Sequence, residues 1–524
     1  MKIRSLLLTF LLLFCVSLTE AQNELDAYRY SGTSITGTAR AIGMGGAFSA
    51  VGADFTAASL NPAGLGLYRK SDLMFTPRLR FTNTDVSYLD VNEADLRTRF
   101  GFANVGYVFA SRLERWNRET KMREEADRGL KSYAFSIGFN QLANYSRNTS
   151  VSAFNTENSI TDHFAALANG TSAADIGSSG TIPGMAWNAW LIDTSVVDGQ
   201  YVGAALGGNM RQNINVREWG RNNEWTVGFA GNIDDFIYIG ASLGIQDIRY
   251  NHETSLLETD ENNVHQSWAN DSTPLNSARY TDIYTTRGNG FNLRVGLIAR
   301  PMDFLRVGLS VQTPTWMALQ DNYSTEISGT LDPDPNDEIG DAAREGVFTY
   351  RLTTPFKANA GLMFLVGKMG FLTADFEYVD YTGSAFRSDV GPASPFYYNF
   401  VTENQAIQDL FQATYNFRLG GEFRMGPARF RAGYANFGAI LNQDARAYFD
   451  YASGLADELP GSRHVFTGGL GYKRKSYYID FAYARELNSE RRLFYTVADV
   501  NAYSPELISR ITSSNFYMTI GFTF

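Results

Sequence analysis

Cysteine is all but missing: Cys15 is the only one in 524 residues, and it lies in the opening apolar stretch. Disulfide frameworks and thiolate chemistry are therefore excluded from the rest of the chain. Histidine is scarce too. His163, His252, His265 and His464 stand far apart, with no i,i+4 pair and no carboxylate spacing of a metal site. They read as solvated, three in loops and one at a strand edge, so neither metal nor cofactor is expected. Positive charge is not in excess, with 45 Lys and Arg against 55 Asp and Glu, which argues against nucleic acid as a partner. No apolar run is long enough for a spanning helix.

The apolar run at residues 6–18 fits a secretory signal instead. Lys2 and Arg4 precede it, and Thr19-Glu20-Ala21 is a small-x-small cleavage site before Gln22. Phe14 ahead of Cys15 does not suit a lipoprotein signal. A mature chain from residue 22 carries 43 basic and 54 acidic residues.

Residues 37–70, GTARAIGMGGAFSAVGADFTAASLNPAGLGLYRK, are small, glycine- and alanine-rich and nearly uncharged. Such a run contributes little apolar area and costs extra backbone entropy on ordering, so it needs an enclosure. It is not a dinucleotide fingerprint: Gly43 and Gly45 begin one, but Phe48 holds the third glycine position and no apolar strand precedes. It is not a P-loop either, since Arg69 stands where glycine should precede Lys70-Ser71. The expected enclosure is the chain from Ser71 to Phe524.

Glycine is plentiful at 48, with 37 Phe and 29 Tyr, as a membrane barrel requires. From Ser71 onward apolar and polar residues alternate with period two. Ile237, Ile239, Ala241, Leu243 and Ile245 share one face, with Gly240, Ser242, Gly244 and Gln246 on the other. Phe516, Met518, Ile520, Phe522 and Phe524 repeat the pattern at the end of the chain. About fourteen such segments begin near Ser71, Phe100, Lys131, Glu224, Asp235, Gly288, Phe304, Tyr350, Gly370, Ala413, Ala428, Arg463, Ser476 and Ser513. Short connections at residues 232–234, 300–303, 366–369, 425–427 and 473–475 alternate with long polar ones at 84–99, 144–223, 251–287, 320–344, 383–412, 437–461 and 486–512. This is the periplasmic and extracellular asymmetry of outer-membrane barrels. One turn departs from it: residues 111–130 are long and charged and predict a surface helix. The fold class is all-β, a transmembrane antiparallel barrel over residues 71–524, with signal peptide 1–21 and an N-terminal plug 22–70 in the lumen.

Plug, fourteen strands, turn rhythm and terminal Phe524 resemble the FadL/TodX-type outer-membrane transporters of long-chain fatty acids and aromatic hydrocarbons. The residues that carry the resemblance are Ala39-Arg40-Ala41, Gly45-Gly46-Ala47-Phe48, Ala53-Asp54 and Asn61-Pro62-Ala63. It implies a passive channel: loops catch a hydrophobic substrate, which passes a pocket beside the plug and leaves through a break in the third strand, here Lys131 to Ala143. It also implies an outer-membrane location, contact with outer-membrane lipids and the barrel-assembly machinery, and a monomer.

Other motifs are weaker. Gly240-Ala241-Ser242-Leu243-Gly244 matches G-x-S-x-G, but the strand pattern continues through it, so no nucleophile elbow and no enzyme is expected. Asp332, Asp334 and Asn336 match the first three ligands of an EF-hand, but Asp337 replaces its glycine and Ala343 its closing Glu. A solvated acidic loop is the reading, with calcium the alternative. In the loop 144–223, Met185, Trp187, Trp190 and Leu191 need burial, either on the barrel rim or as a capture site for ligand. Gly45, Gly46, Asn61, Pro62 and Ala63 are candidates for plug gating, and the Asn61-Pro62 corner is equally a plain turn. Alternation turns Arg78, Arg80, Arg294, Arg306, Asp375, Glu377, Arg418, Glu422, Arg424, Arg429 and Arg431 toward the lumen, where charges of both signs should pair. The expected function is passive uptake of hydrophobic small molecules. The rival is a structural or interaction barrel, for example a secretion component, whose plug never opens.

Overall fold

The computed structural model describes residues 24–32, 34–117, 122–126, 128–178, 180–195, 199–265, 275–331, 338–442, 462–492, 494–495 and 505–524. The expected signal segment and the acidic loop 332–337 lie outside the described residues.

A closed antiparallel barrel of 14 strands forms the body. Its wall is β1 (Asp72–Tyr88), β2 (Val91–Arg112), β3 (Leu130–Asn144), β4 (Met210–Ile233), β5 (Ile237–Thr259), β6 (Leu275–Met302), β7 (Leu305–Gln312), β8 (Lys357–Val366), β9 (Gly370–Asp380), β10 (Ala413–Met425), β11 (Ala428–Phe437), β12 (Arg463–Lys473), β13 (Tyr477–Arg492) and β14 (Leu507–Thr523). Each strand pairs with its neighbours in sequence, and β1 closes on β14. The seam is completed by Ser71 and Phe524, whose N–H groups donate reciprocally to each other's carbonyls at 3.1 Å. Closure of β1 on β14 removes the sheet's two terminal edges, the condition for crossing lipid with strands.

The outward face carries an apolar band. Trp225, Val227 and Phe229 on β4 are exposed, as are Ile239, Leu243 and Ile245 on β5 and Phe291, Leu293, Val295 and Leu297 on β6. Aromatic rings mark its upper limit. Phe139 faces Trp225, Trp225 faces Ile245, Ile245 faces Phe291 and Phe291 faces Trp316. The Phe139–Trp225 and Phe291–Trp316 centroids are 5.7 and 5.3 Å apart. This is the girdle of a membrane barrel at the lipid interface.

At the lower end the connections are tight. Asp234 and Asp235 hold positive φ of 55° and 56°, the turn geometry that matches strand twist. Above the girdle, strands continue where loops were expected. Residues 84–99 are the ends of β1 and β2, and much of 251–287 belongs to β5 and β6. Their outward faces are largely polar and their inward faces bury apolar residues only at intervals, as at Val86, Tyr88, Leu256 and Ala278, so the apolar alternation that reveals a strand inside the membrane is missing. Trp316–Leu331 and Glu338–Thr353 extend the seventh and eighth strands upward. The breaks below them contain Pro314 and Pro355, which lack a ladder donor.

The expected helix over 111–130 is replaced by a hairpin, with Glu114–Asn117 pairing Met122–Glu125. Glu125 of the hairpin pairs with Arg112 at the end of β2 at 2.5 Å, and the hairpin ladder takes the place of an isolated short helix. Two histidines differ from expectation: His163 lies on a helix and His252 within a strand, while His464 lies at a strand edge and His265 in a loop.

Candidate functional site

The segment 37–70 lies inside the barrel and touches the wall all the way round. It is built from short turns. Thr38 caps α2 (Ala39–Ile42) by accepting from Ala41 N at 3.3 Å, and its hydroxyl donates to Asp54 Oδ2 at 2.8 Å. Gly45 and Gly46 sit at φ 67° and 73°, which only glycine adopts freely. A Cβ on Gly45 would lie 2.8 Å from Tyr434 N, and one on Gly433 would lie 2.2 Å from Gly45 N. Gly106, Gly138, Gly240, Gly296, Gly308 and Gly420 give the same close approach from six other strands. The abundant inward glycines are thus what lets the segment fit.

Wall side chains then hold its backbone. Asp375 Oδ2 accepts from both Phe48 N and Ser49 N at 2.7 Å. Ser242, from the G-x-S-x-G match, donates from mid-strand at 2.7 Å to Ala58 O in the single turn α3 (Ala57–Leu60). Ser310 donates to Leu60 O at 2.8 Å and Arg306 to Val51 O at 3.0 Å. Asn61, fully buried, joins segment and wall: its amide donates to Ser49 O at 2.7 Å and Leu297 O at 3.2 Å, and its oxygen accepts from Ala63 N. Pro62 then opens a 3-10 turn, Pro62–Leu67, packed against Gly240.

The lumen charges pair across strands. Arg294 bonds Glu224 at 2.7 Å, Arg418 bonds Glu377 at 3.0 Å, and Arg431 bonds both Glu422 at 2.8 Å and Asp480 at 2.6 Å. Arg40 of the inner segment reaches Glu422 at 3.4 Å. Arg78 is buried and donates to Gln141, while Arg80 donates to Ser513 at 2.9 Å and Asn144 O at 3.3 Å. Arg424 is exposed beside the turn at Gly426, where the lumen opens and alternation no longer implies burial. Glu224 and Asp480 also belong to this set, beyond the residues expected from sequence. Outward Trp225 and Phe481 fix both as inward, which is the signal that finds them.

The wall is broken at the third strand. The β2–β3 ladder ends at Asn104↔Asn140, and β3 slips register on β4 between Gln141 and Ala143. Pairing with β4 carries on past the slip to Asn144↔Arg221, Tyr145 N donates to Gly220 O at 3.2 Å, and the ladder continues at Arg147–Asn155. Among the described residues, β2 above Asn104 has a ladder with β1 alone. Behind this break lies an aromatic chamber lined by Tyr145, Tyr250, Tyr284, Tyr350, Phe386 and Phe400. Helix α1 (Glu24–Ser31) fills it, placing Ala27 and Tyr30 in the cluster and Arg29 4.3 Å over the Tyr250 ring. Tyr145 OH donates to Arg29 O at 3.3 Å, and Ser34 bonds Leu142 O in the irregular stretch itself.

The structure resembles those of known barrels. A Pseudomonas aeruginosa FadL homologue superposes with TM-score 0.50 at 14% identity, covering 94% of this chain and 99% of that one. The chain has the FadL-type fold. The P. putida toluene transporter TodX gives TM-score 0.49 at 13% identity, again over 94% and 99% of the two chains. The Ralstonia pickettii toluene transporter TbuX gives 0.47 at 15%, also over 94% and 99%. No protein-family model matches the sequence, and no curated protein sequence does.

Above the chamber the FadL-type barrel carries a cap of α4 (Ile160–Ala168), α5 (Ile182–Asn188) and the small hairpin Ile192–Thr194 with Tyr201–Gly203. The four loop residues singled out by sequence do not form one surface. Met185 and Leu191 are buried in the cap core, and Leu191 packs over Gly329 of the wall extension. Trp187 is half-buried, edge-on to Tyr201 at 5.9 Å, and Trp190 is exposed. The cap is seated on a buried carboxylate, Glu258, at the top of β5. Ile160 N donates to it at 3.0 Å and Gln212 at 2.6 Å, and Ser159 bonds its other oxygen. Burial pushes this carboxyl up to about 7.

Proposed function

We propose that this chain is an outer-membrane channel for the passive uptake of hydrophobic small molecules, such as long-chain fatty acids or aromatic hydrocarbons. The observation that carries the reading is the broken third strand standing beside an aromatic chamber. Molecules entering under the cap displace α1 from the ring faces, gaining about 0.8 kcal/mol for each CH₂ buried against the lost burial of Ala27 and Tyr30. No polar anchor or energy input is needed. The inner segment closes the route downward, so exit is sideways through the gap between β2 and Arg147–Asn155. Residues 37–70 act as the plug, with Gly45, Gly46, Asn61, Pro62 and Ala63 fixing its closed form. The barrel works as a monomer among outer-membrane lipids after insertion by the assembly machinery.

Residues on the two sides of the gap already touch: Arg97 donates to Arg147 O at 3.1 Å and bonds the Asn148 side chain. Arg97→Cys with Asn148→Cys, joined by a bifunctional thiol reagent, should staple the gap, with Cys15 the only native thiol in the chain. Uptake of labelled fatty acid into liposomes should then fall by about tenfold and recover when a cleavable linker is reduced. Unchanged flux through the stapled barrel would overturn the lateral route. No flux even before stapling would favour a permanently closed interaction barrel.

A further inference from the structure

Just above the aromatic girdle, three arginines meet side by side on the outer face. Arg249 of β5 is directly opposite Arg221 of β4 and directly opposite Arg287 of β6. All three are exposed, and the Arg249 side chain retains 57% of its accessible area. Opposite residues on antiparallel strands bring their Cβ atoms to about 4.5–5.5 Å, where like charges repel. Elsewhere the same strands avoid this: four residues higher, Arg217 faces Glu253 and pairs with it at 3.5 Å. In the arginine row the flanking positions are amides, Asn144 opposite Arg221 and Gln320 opposite Arg287. The nearest carboxylate on these strands is Asp247, one step lower on the same face and 3.6 Å from Arg249. Three cations against one carboxylate leave an unbalanced positive row.

Its height identifies what balances it. Four residues below the arginines along their strands are Trp225, Ile245 and Phe291, the upper edge of the apolar band. At about 3.3 Å per residue and a strand tilt of about 40°, the guanidinium groups stand roughly 10 Å above that edge. This is the headgroup layer of the outer leaflet, with acyl chains against the band beneath. Arginine forks match phosphate oxygens bidentately, and clustered basic residues beside the bilayer bind anionic headgroups.

We propose that Arg221, Arg249 and Arg287 form a binding site for the phosphate of a phosphorylated glycolipid in the outer leaflet, whose acyl chains lie along β4–β6. The proposal rests on the outer-membrane reading above. It is tested on the purified full-length barrel by native mass spectrometry and thermal melting, with lipid A, dephosphorylated lipid A and inorganic phosphate as probes. Wild type should retain lipid A, with affinity falling at least about tenfold on dephosphorylation or in the combined variant Arg221→Gln, Arg249→Gln, Arg287→Gln. In detergent without lipid A the triple variant should melt above wild type, because the repulsion is gone, while lipid A should stabilise only wild type. Arg217→Gln should bind as wild type does. Equal retention by the triple variant, or of the dephosphorylated lipid, would overturn the proposal, and equal stabilisation by inorganic phosphate would overturn its lipid source. Insertion of all variants into vesicles as heat-modifiable barrels keeps the two readings separable. A barrel that inserts but shows no arginine-dependent binding loses only this site, whereas failure to insert overturns the membrane reading itself.

Discussion

Asn61 shows how one side chain can tie a chain crossing a lumen to the wall around it. With three hydrogen bonds it satisfies segment and wall together, and the contact with Gly296 leaves no room for a larger neighbour. The turn at Asn61-Pro62 is legible from residue type, whereas its wall partner, Leu297 O, is not, because that contact joins residues far apart in sequence. Glu258 was not legible either. Its burial depends on a cap assembled from several loops, and the expected consequence concerns pH. A carboxyl whose folded pKa is raised from 4.5 to about 7 is bound more firmly by its proton in the folded cap than in the opened one. The stabilisation is complete below about 4.5, declines as pH rises and is lost above about 7. Hydrogen exchange around residues 158–162 should therefore quicken by at least about tenfold, beyond its intrinsic rate, between pH 5 and pH 8. Glu258→Gln should flatten that dependence, and a flat profile in wild type would refute the assignment.

At the scale of elements, the inner segment and the wall are built for each other. The segment has almost no bulk, and the wall meets it with glycine. Asp375 then adds two charge-assisted hydrogen bonds, each worth about 1.5–3 kcal/mol. Gly433 should accordingly be intolerant of a side chain although its strand pairing is unaffected. Gly433→Val is expected to give a barrel that still shows heat-modifiable migration, with the segment displaced and conductance to small ions raised severalfold in planar bilayers. Wild-type conductance in a folded variant would mean that the segment accommodates the added bulk. The third strand teaches a different lesson. Nothing in Gln141-Leu142-Ala143-Asn144-Tyr145 marks a register slip, because the slip exists only relative to the opposite strand, where it falls between Asn223 and Asn222, beside the N-terminal segment that Ser34 ties to Leu142 O.

Across the whole molecule, closure is what turns strands into a membrane protein. Tight turns lie at one end, and long extensions with the cap at the other, so the two ends should face different compartments. Epitope tags near Asp334 and Asn501 should be detected on intact cells and a tag near Pro427 should not. Surface detection of the Pro427 tag would invert the topology.

Period-two alternation, an aromatic-closed final strand and the short-long rhythm of connections determined the barrel and its strand number from sequence alone. They could do so because lipid on one face and a crowded lumen on the other impose opposite polarity on successive residues. A small-residue segment with no core of its own likewise pointed to an enclosed position. Where lipid contact ends, that constraint ends, and the strand extensions and the 111–130 hairpin were invisible for this reason. The tertiary structure decided the rest: which lumen charges pair, where the third strand breaks, and that α1 occupies the aromatic chamber. Each depends on groups brought together from distant parts of the chain by barrel closure, and local sequence carries no record of such distances.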